Sequence, residues 1–153
     1  MTKAGLAVAL FAAAALQAAP AESRSCYSKA ELEAEQAILW QTNLMVVSSA
    51  CHNSSYADFR LHNASLIIRY QHQMIDYFRH TGSRQPARSF ETWITHLANE
   101  VANKETGTPT PLVCQQAASL LKLAGSLDSK HFHQLVAARA AADPDPAHPL
   151  CRR

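Results

Sequence analysis

The sequence predicts an all-α fold, a compact antiparallel bundle of four to five helices held by two disulfides. Three observations predict it. Apolar residues recur at helical spacing in successive segments, and no segment sustains the alternation of a strand. Proline, glycine and serine punctuate the chain between those segments at short intervals. Four cysteines, Cys26, Cys51, Cys114 and Cys151, lie beyond an N-terminal stretch with the pattern of an export signal.

That stretch is read first because it bears on the cysteines. Met1-Thr2-Lys3 supplies one positive charge, and an apolar run without a charge follows from Ala4 to Leu16. Small residues at Ala19 and Ala21 then give the A-x-A pattern that precedes cleavage. These parts in this order are expected of a secretory leader over residues 1–21. The apolar run is shorter than the roughly 20 residues that span a bilayer as a helix. The residues before Cys26, Ser23-Arg24-Ser25, lack the apolar and small character expected ahead of a lipidated cysteine. The remaining chain, about 130 residues, suits one ordinary domain. We read it as a helical domain over 22–141 and an extended proline-rich tail over 142–153.

The first helix is expected to open at Ser28. In Ser28-Lys29-Ala30-Glu31 the serine oxygen can accept from the backbone N–H of Glu31 while the glutamate reaches back, a capping box. Glu31, Glu33 and Glu35 crowd the positive end of the helix dipole. Ala34, Ala37, Ile38, Gln41, Leu44, Met45 and Ser48 form its stripe, widened by Leu39, Val46 and Val47, and it ends near Cys51. Ser55-Tyr56-Ala57-Asp58 is expected to cap a second helix. Its stripe is the cleanest in the chain: Phe59, Leu66, Ile67, Tyr70, Met74, Tyr77 and Phe78. Thr81-Gly82 stops it, glycine being favoured in the left-handed turn beyond a helix.

A basic linker from Ser83 to Arg88, containing Pro86, leads to a third helix on Phe90, Trp93, Ile94, Leu97, Ala98 and Val101, ending near Lys104. Thr110 followed by Pro111 suits an N-cap with proline in the first turn of a fourth helix. Gly125-Ser126 separates that helix from a shorter fifth segment, Ser129 to Ala141. The tail carries Pro144, Pro146 and Pro149 and is expected to be held only by Cys151.

Charge narrows the function classes. The net charge is +2 over the whole chain, and the leader removes Lys3 alone among the charged residues. Near-neutral, interspersed charge argues against a nucleic-acid partner, which needs a concentrated basic face. No stretch after the leader is apolar enough to cross a membrane. An even number of cysteines in an exported chain reads as two disulfides, and no pair has the close spacing of a zinc knuckle. Three pairings are formally open.

Eight histidines invite a metal site: His52, His62, His72, His80, His96, His131, His133 and His148. Ligands on one helix face sit three or four residues apart, and no two of these do. They read as surface histidines. Cys51-His52 lacks the earlier cysteine of a haem-attachment motif, since residue 48 is Ser48. Met45 and Met74 on apolar stripes read as core filler. The sequence calls for no cofactor or metal. No nucleophile elbow, paired-carboxylate motif or H-E-x-x-H pattern is present, so no catalytic residue is assigned. Glu100, near the apolar stripe of the third helix, is the carboxylate most open to burial. Asn53-Ser54-Ser55 and Asn63-Ala64-Ser65 match the glycosylation pattern and read as coincidence in a chain with a bacterial type of leader. Tyr56, Tyr70, Tyr77 and Trp93 read as core and helix-interface residues. Trp40 belongs with them but, lying beside the main stripe of its helix, is also the one open to exposure and the contact residue that the sequence singles out.

Trp40-Gln41-Thr42-Asn43-Leu44-Met45-Val46 followed by Cys51 resembles the "LQT-x-LMV…C" segment of a family of small exported helical proteins from alphaproteobacteria. The likeness continues through Tyr56, Phe59, Tyr77-Phe78-Arg79, Leu97-Ala98-Asn99-Glu100 and Cys114, covering roughly residues 38 to 115. Trp40 stands where leucine is usual. The resemblance implies location and fold and carries over no activity, cofactor or catalytic residue. Cys51 and Cys114 are among its motif positions, and it implies that they pair. The pairing preferred with it joins Cys26 to Cys151 and ties the two ends of the mature chain together.

The expectation that follows is a non-enzymatic periplasmic or secreted protein, an interaction or structural protein of the cell envelope that acts through its surface on a protein partner or the envelope. Two alternatives stand beside it. A metal- or haem-binding protein requires histidines converging from different helices, and a small envelope enzyme requires a pocket built on Glu100 or a histidine.

Overall fold

A computed structural model describes residues 26–142 and 150–151 of the chain. The expected leader, His148 and most of the proline-rich tail lie outside the described residues. The described residues form five helices, α1 (Lys29–Ala50), α2 (Ser55–His80), α3 (Pro86–Lys104), α4 (Thr110–Ala124) and α5 (Ser129–Ala142). A single bridge between Tyr27 and Leu150 is the only β pairing among them.

Local chemistry sets most of the boundaries. Both halves of the Ser28 capping box are present: Glu31 N–H donates to Ser28 Oγ at 3.2 Å and Ser28 N–H to Glu31 Oε2 at 2.6 Å. At the end of α2, Ser83 N–H donates to Phe78 O and Gly82 takes φ +91°, so glycine supplies the left-handed residue that the closing turn demands.

Three helix starts differ from expectation. Ser55 is already the first residue of α2, and Asn53 Oδ1 accepts its N–H at 2.7 Å. Pro86 is not in a linker but opens α3, where its missing N–H costs nothing. Thr110 is inside α4, with Pro109 before it. Asp128 caps α5, accepting from His131 N–H at 2.9 Å.

The architecture is built on the α1–α2 pair, and each of these two helices touches α3, α4 and α5. They run antiparallel: Tyr27, just before α1, meets Tyr77 near the end of α2 edge to face, while Trp40 packs at a tilt against Phe59 near its start. α2 buries one stripe, Phe59, Leu66, Ile67, Tyr70, Met74 and Tyr77, with Asn63 among them. α1 is different. Ala34 to Ile38 are buried without interruption, polar Glu35 and Gln36 included, so helices enclose α1 on most sides.

Enclosure changes the reading of Trp40. It is 5 % exposed rather than a surface residue, and its indole packs 4.9 Å from the Phe59 ring and 5.3 Å from the Phe132 ring. Phe132, on α5, is fully buried and completes the cluster with Tyr70. The aromatic residue singled out for contact is therefore the centre of the core.

The two disulfides are Cys51–Cys114 and Cys26–Cys151, with Cα atoms 5.6 and 4.9 Å apart. The first joins the end of α1 to the first turn of α4. The second is reinforced by Cys151 N–H donating to Tyr27 O at 2.9 Å, so the tail is held by more than its cysteine. With separations of 63 and 125 residues, the chain-entropy model gives each cross-link about 4–5 kcal/mol. No helix among the described residues is long and apolar enough to cross a membrane.

Candidate functional site

The residues that the sequence offered for chemistry are dispersed. His52, His62, His72, His80, His96, His131 and His133 are all exposed, three of them spread along α2, two on α5, one on α3 and one in the turn after α1. Among the described residues no group of three or more His, Cys, Asp or Glu is placed to hold a metal ion. Glu100 is exposed rather than partly buried, because it falls on the solvent side of α3, and it lines neither recess described below. Met74 is fully buried in the core. Asn63 is also fully buried, and its amide donates to Phe59 O and Leu127 O, each at 2.9 Å. It ties α2 to the turn before α5, a structural role for the second glycosylation-like triplet.

Three residues that spacing could not connect do meet. Tyr70 of α2 donates to Glu33 Oε1 of α1 at 2.7 Å, and His133 Nδ1 of α5 lies 3.5 Å from the same oxygen. Burial, followed by the hydrogen bond and charge of Glu33, pushes the Tyr70 hydroxyl far above the ordinary phenol range; Arg69 opposes this weakly. The Arg69 guanidinium carbon lies 5.8 Å from the Tyr70 ring centroid. These side chains, with Ala30 and Gln73, line a recess of about 330 Å³. A neutral phenol and a carboxylate side by side form a hydrogen-bonded strut across three helices.

Arg69 and His133 also border a larger recess of about 610 Å³ between α2 and α5. Ser65, Leu66, Ser129, Lys130, Gln134 and Ala137 complete its walls. Among the described residues the lining contains Arg69, Lys130 and His133 and no carboxylate. Asp128, next to Ser129, turns its carboxylate to His131, whose backbone and ring hold it below the usual carboxylate range.

Beside this recess runs an apolar ridge. Leu61 is 79 % exposed and Ile68 50 % exposed, seven residues apart on α2 and opposite the face that carries Phe59, Leu66 and Tyr70. Ala57 and Ala64 are exposed on the same side. Ser65 lies three or four residues from Ile68, Leu61 and Arg69, so the ridge and the recess adjoin on one helix surface. The sequence held a signal for this ridge: Leu61 and Ile68 are large apolar residues off the core stripe of α2. No protein-family model, curated protein or solved structure matches the chain.

Proposed function

We propose that the protein is an exported, non-enzymatic interaction module that holds a protein partner on the outer face of α2. One observation carries this reading. Leu61 and Ile68 stand in solvent, one heptad apart, on a helix whose other face supplies much of the core. Exposing two large side chains where polar residues would serve costs solubility, and apolar surface of that kind is characteristic of contact sites. Export is supported by the two disulfides, which persist in oxidising compartments. The leader pattern over residues 1–21 and the likeness of residues 38 to 115 to small exported alphaproteobacterial proteins support the same location.

The test has two arms. Fractionation of the native cell, with non-reducing electrophoresis, is expected to place the oxidised chain outside the cytoplasm. A photo-crosslinking residue at position 61 is expected to give a discrete adduct in the envelope or medium, absent when the same residue replaces exposed Glu100. Recovery of the reduced chain in the cytoplasm, or equal labelling from both positions, would sink the proposal.

A further inference from the structure

The face around Leu61 has a second half that an apolar contact alone does not use. On the α5 side of the ridge, Arg69 of α2 and Lys130 and His133 of α5 border the 610 Å³ recess. Arg69 and Lys130 carry permanent positive charge, while His133 faces Glu33 of the smaller recess through Nδ1. Two carboxylates among the described residues that adjoin this recess are engaged elsewhere. Asp128 caps α5, and Glu33 lies beyond Arg69 and His133 in the smaller recess, where it accepts from Tyr70. Lys130 lies in the first turn of α5, on the wall of the recess that faces Arg69. The surface is therefore apolar on one flank and cationic on the other, with the hydroxyl of Ser65 between.

From this charge and apolar complementarity we propose that the occupant is an acidic amphipathic segment of a partner protein. Its apolar side chains rest on Leu61 and Ile68, about 10 Å apart along α2. Its carboxylates enter the recess, where the planar guanidinium of Arg69 suits a two-point contact and Lys130 supplies a point charge. The proposal rests on the interaction reading above and names its partner chemistry. A lipid surface fits less well. Interfacial insertion needs a continuous apolar face with cations displayed around it. Here two large apolar residues stand on one side, and the cations line a hollow between two helices.

The experiment is selection from a random peptide display library on the oxidised full chain, followed by titration of synthetic copies of the enriched peptides. Enrichment is expected for peptides that combine Leu, Ile or Phe with two or more Asp or Glu within two helical turns. Affinity is expected to fall about tenfold or more in the Arg69→Glu/Lys130→Glu double variant and in the Leu61→Ser/Ile68→Ser double variant. It should also weaken as salt is raised. All four positions are at the surface, and circular dichroism checks that each variant remains helical. Enriched peptides without acidic residues, or affinity indifferent to charge reversal, would overturn the acidic partner while leaving the interaction reading standing. Failure to enrich peptides, with binding to mixed phosphatidylglycerol and phosphatidylcholine vesicles, would replace both with a membrane contact. Binding to neither probe would overturn both.

Discussion

The Tyr70 hydroxyl donates a 2.7 Å hydrogen bond to Glu33 Oε1, fastening α2 to α1 at a carboxylate that also faces His133 of α5. A hydrogen bond to a charged acceptor stabilises by more than one between neutral groups, but Glu33 is partly open to solvent, which weakens it. Tyr70→Phe is expected to lower stability by about 1–2 kcal/mol in urea denaturation. An unchanged midpoint would show that the strut contributes nothing.

The same strut has an alkaline signature. Burial, then the charges of nearby glutamates, raises the hydroxyls of Tyr70 and Tyr77 above their ordinary value of 10.0. Above that pH the unfolded chain loses these protons before the native chain does. The native state then binds more protons than the unfolded one, so stability falls as pH rises. It is complete below pH 10 and declines beyond it. Denaturant midpoints measured up to pH 11 are expected to fall, less steeply in Tyr70→Phe, with the late phenolate absorbance reduced in that variant.

Trp40→Ala is expected to cost about 3–5 kcal/mol, because it empties the space between Phe59 and Phe132. Thermal melting followed by circular dichroism measures it. Trp40→Phe should cost less, since a ring still fills part of that space. A contact residue at the surface would show the opposite, little change in melting and a loss of binding.

Asn63 gives a polar counterpart in the core. Asn63→Ala leaves Leu127 O buried beside α2 without its donor, at an expected cost of about 1–3 kcal/mol. Hydrogen exchange should report the damage first at the start of α5, where the lost bond had fixed the preceding turn. Uniform destabilisation without that local increase would contradict the assigned role.

The disulfides make the last prediction. Replacing Cys51 and Cys114 by serine is expected to lower stability by about 4 kcal/mol, while replacing Cys26 and Cys151 should release the Tyr27–Leu150 bridge and leave the five helices intact. Denaturation and far-ultraviolet circular dichroism of the two double variants separate these effects.

What could be read from the residues was local. The Ser28 capping box closes within four residues, and the α2 stripe needs only a helical count, so both were legible. The Asn53 contact to Ser55 and the Asp128 cap were missed because neighbouring serines offer rival local acceptors. Trp40 was misplaced for a different reason: a one-sided stripe presumes a helix with an outside, and α1 is enclosed by its neighbours. Glu33, Tyr70 and His133 come from three helices, with Glu33 and Tyr70 37 positions apart, and no spacing rule links them. The cysteine pairing agrees with the one that the resemblance implied. The recess between α2 and α5 needed the packing itself.

The enclosure of α1 also bears on timing. The first helix made is walled partly by the last, through Phe132 against Trp40 and His133 beside Glu33. Its core cannot close until those late residues are at hand, and contacts so distant along the chain form slowly. Until then Trp40 lacks the ring that covers it from α5.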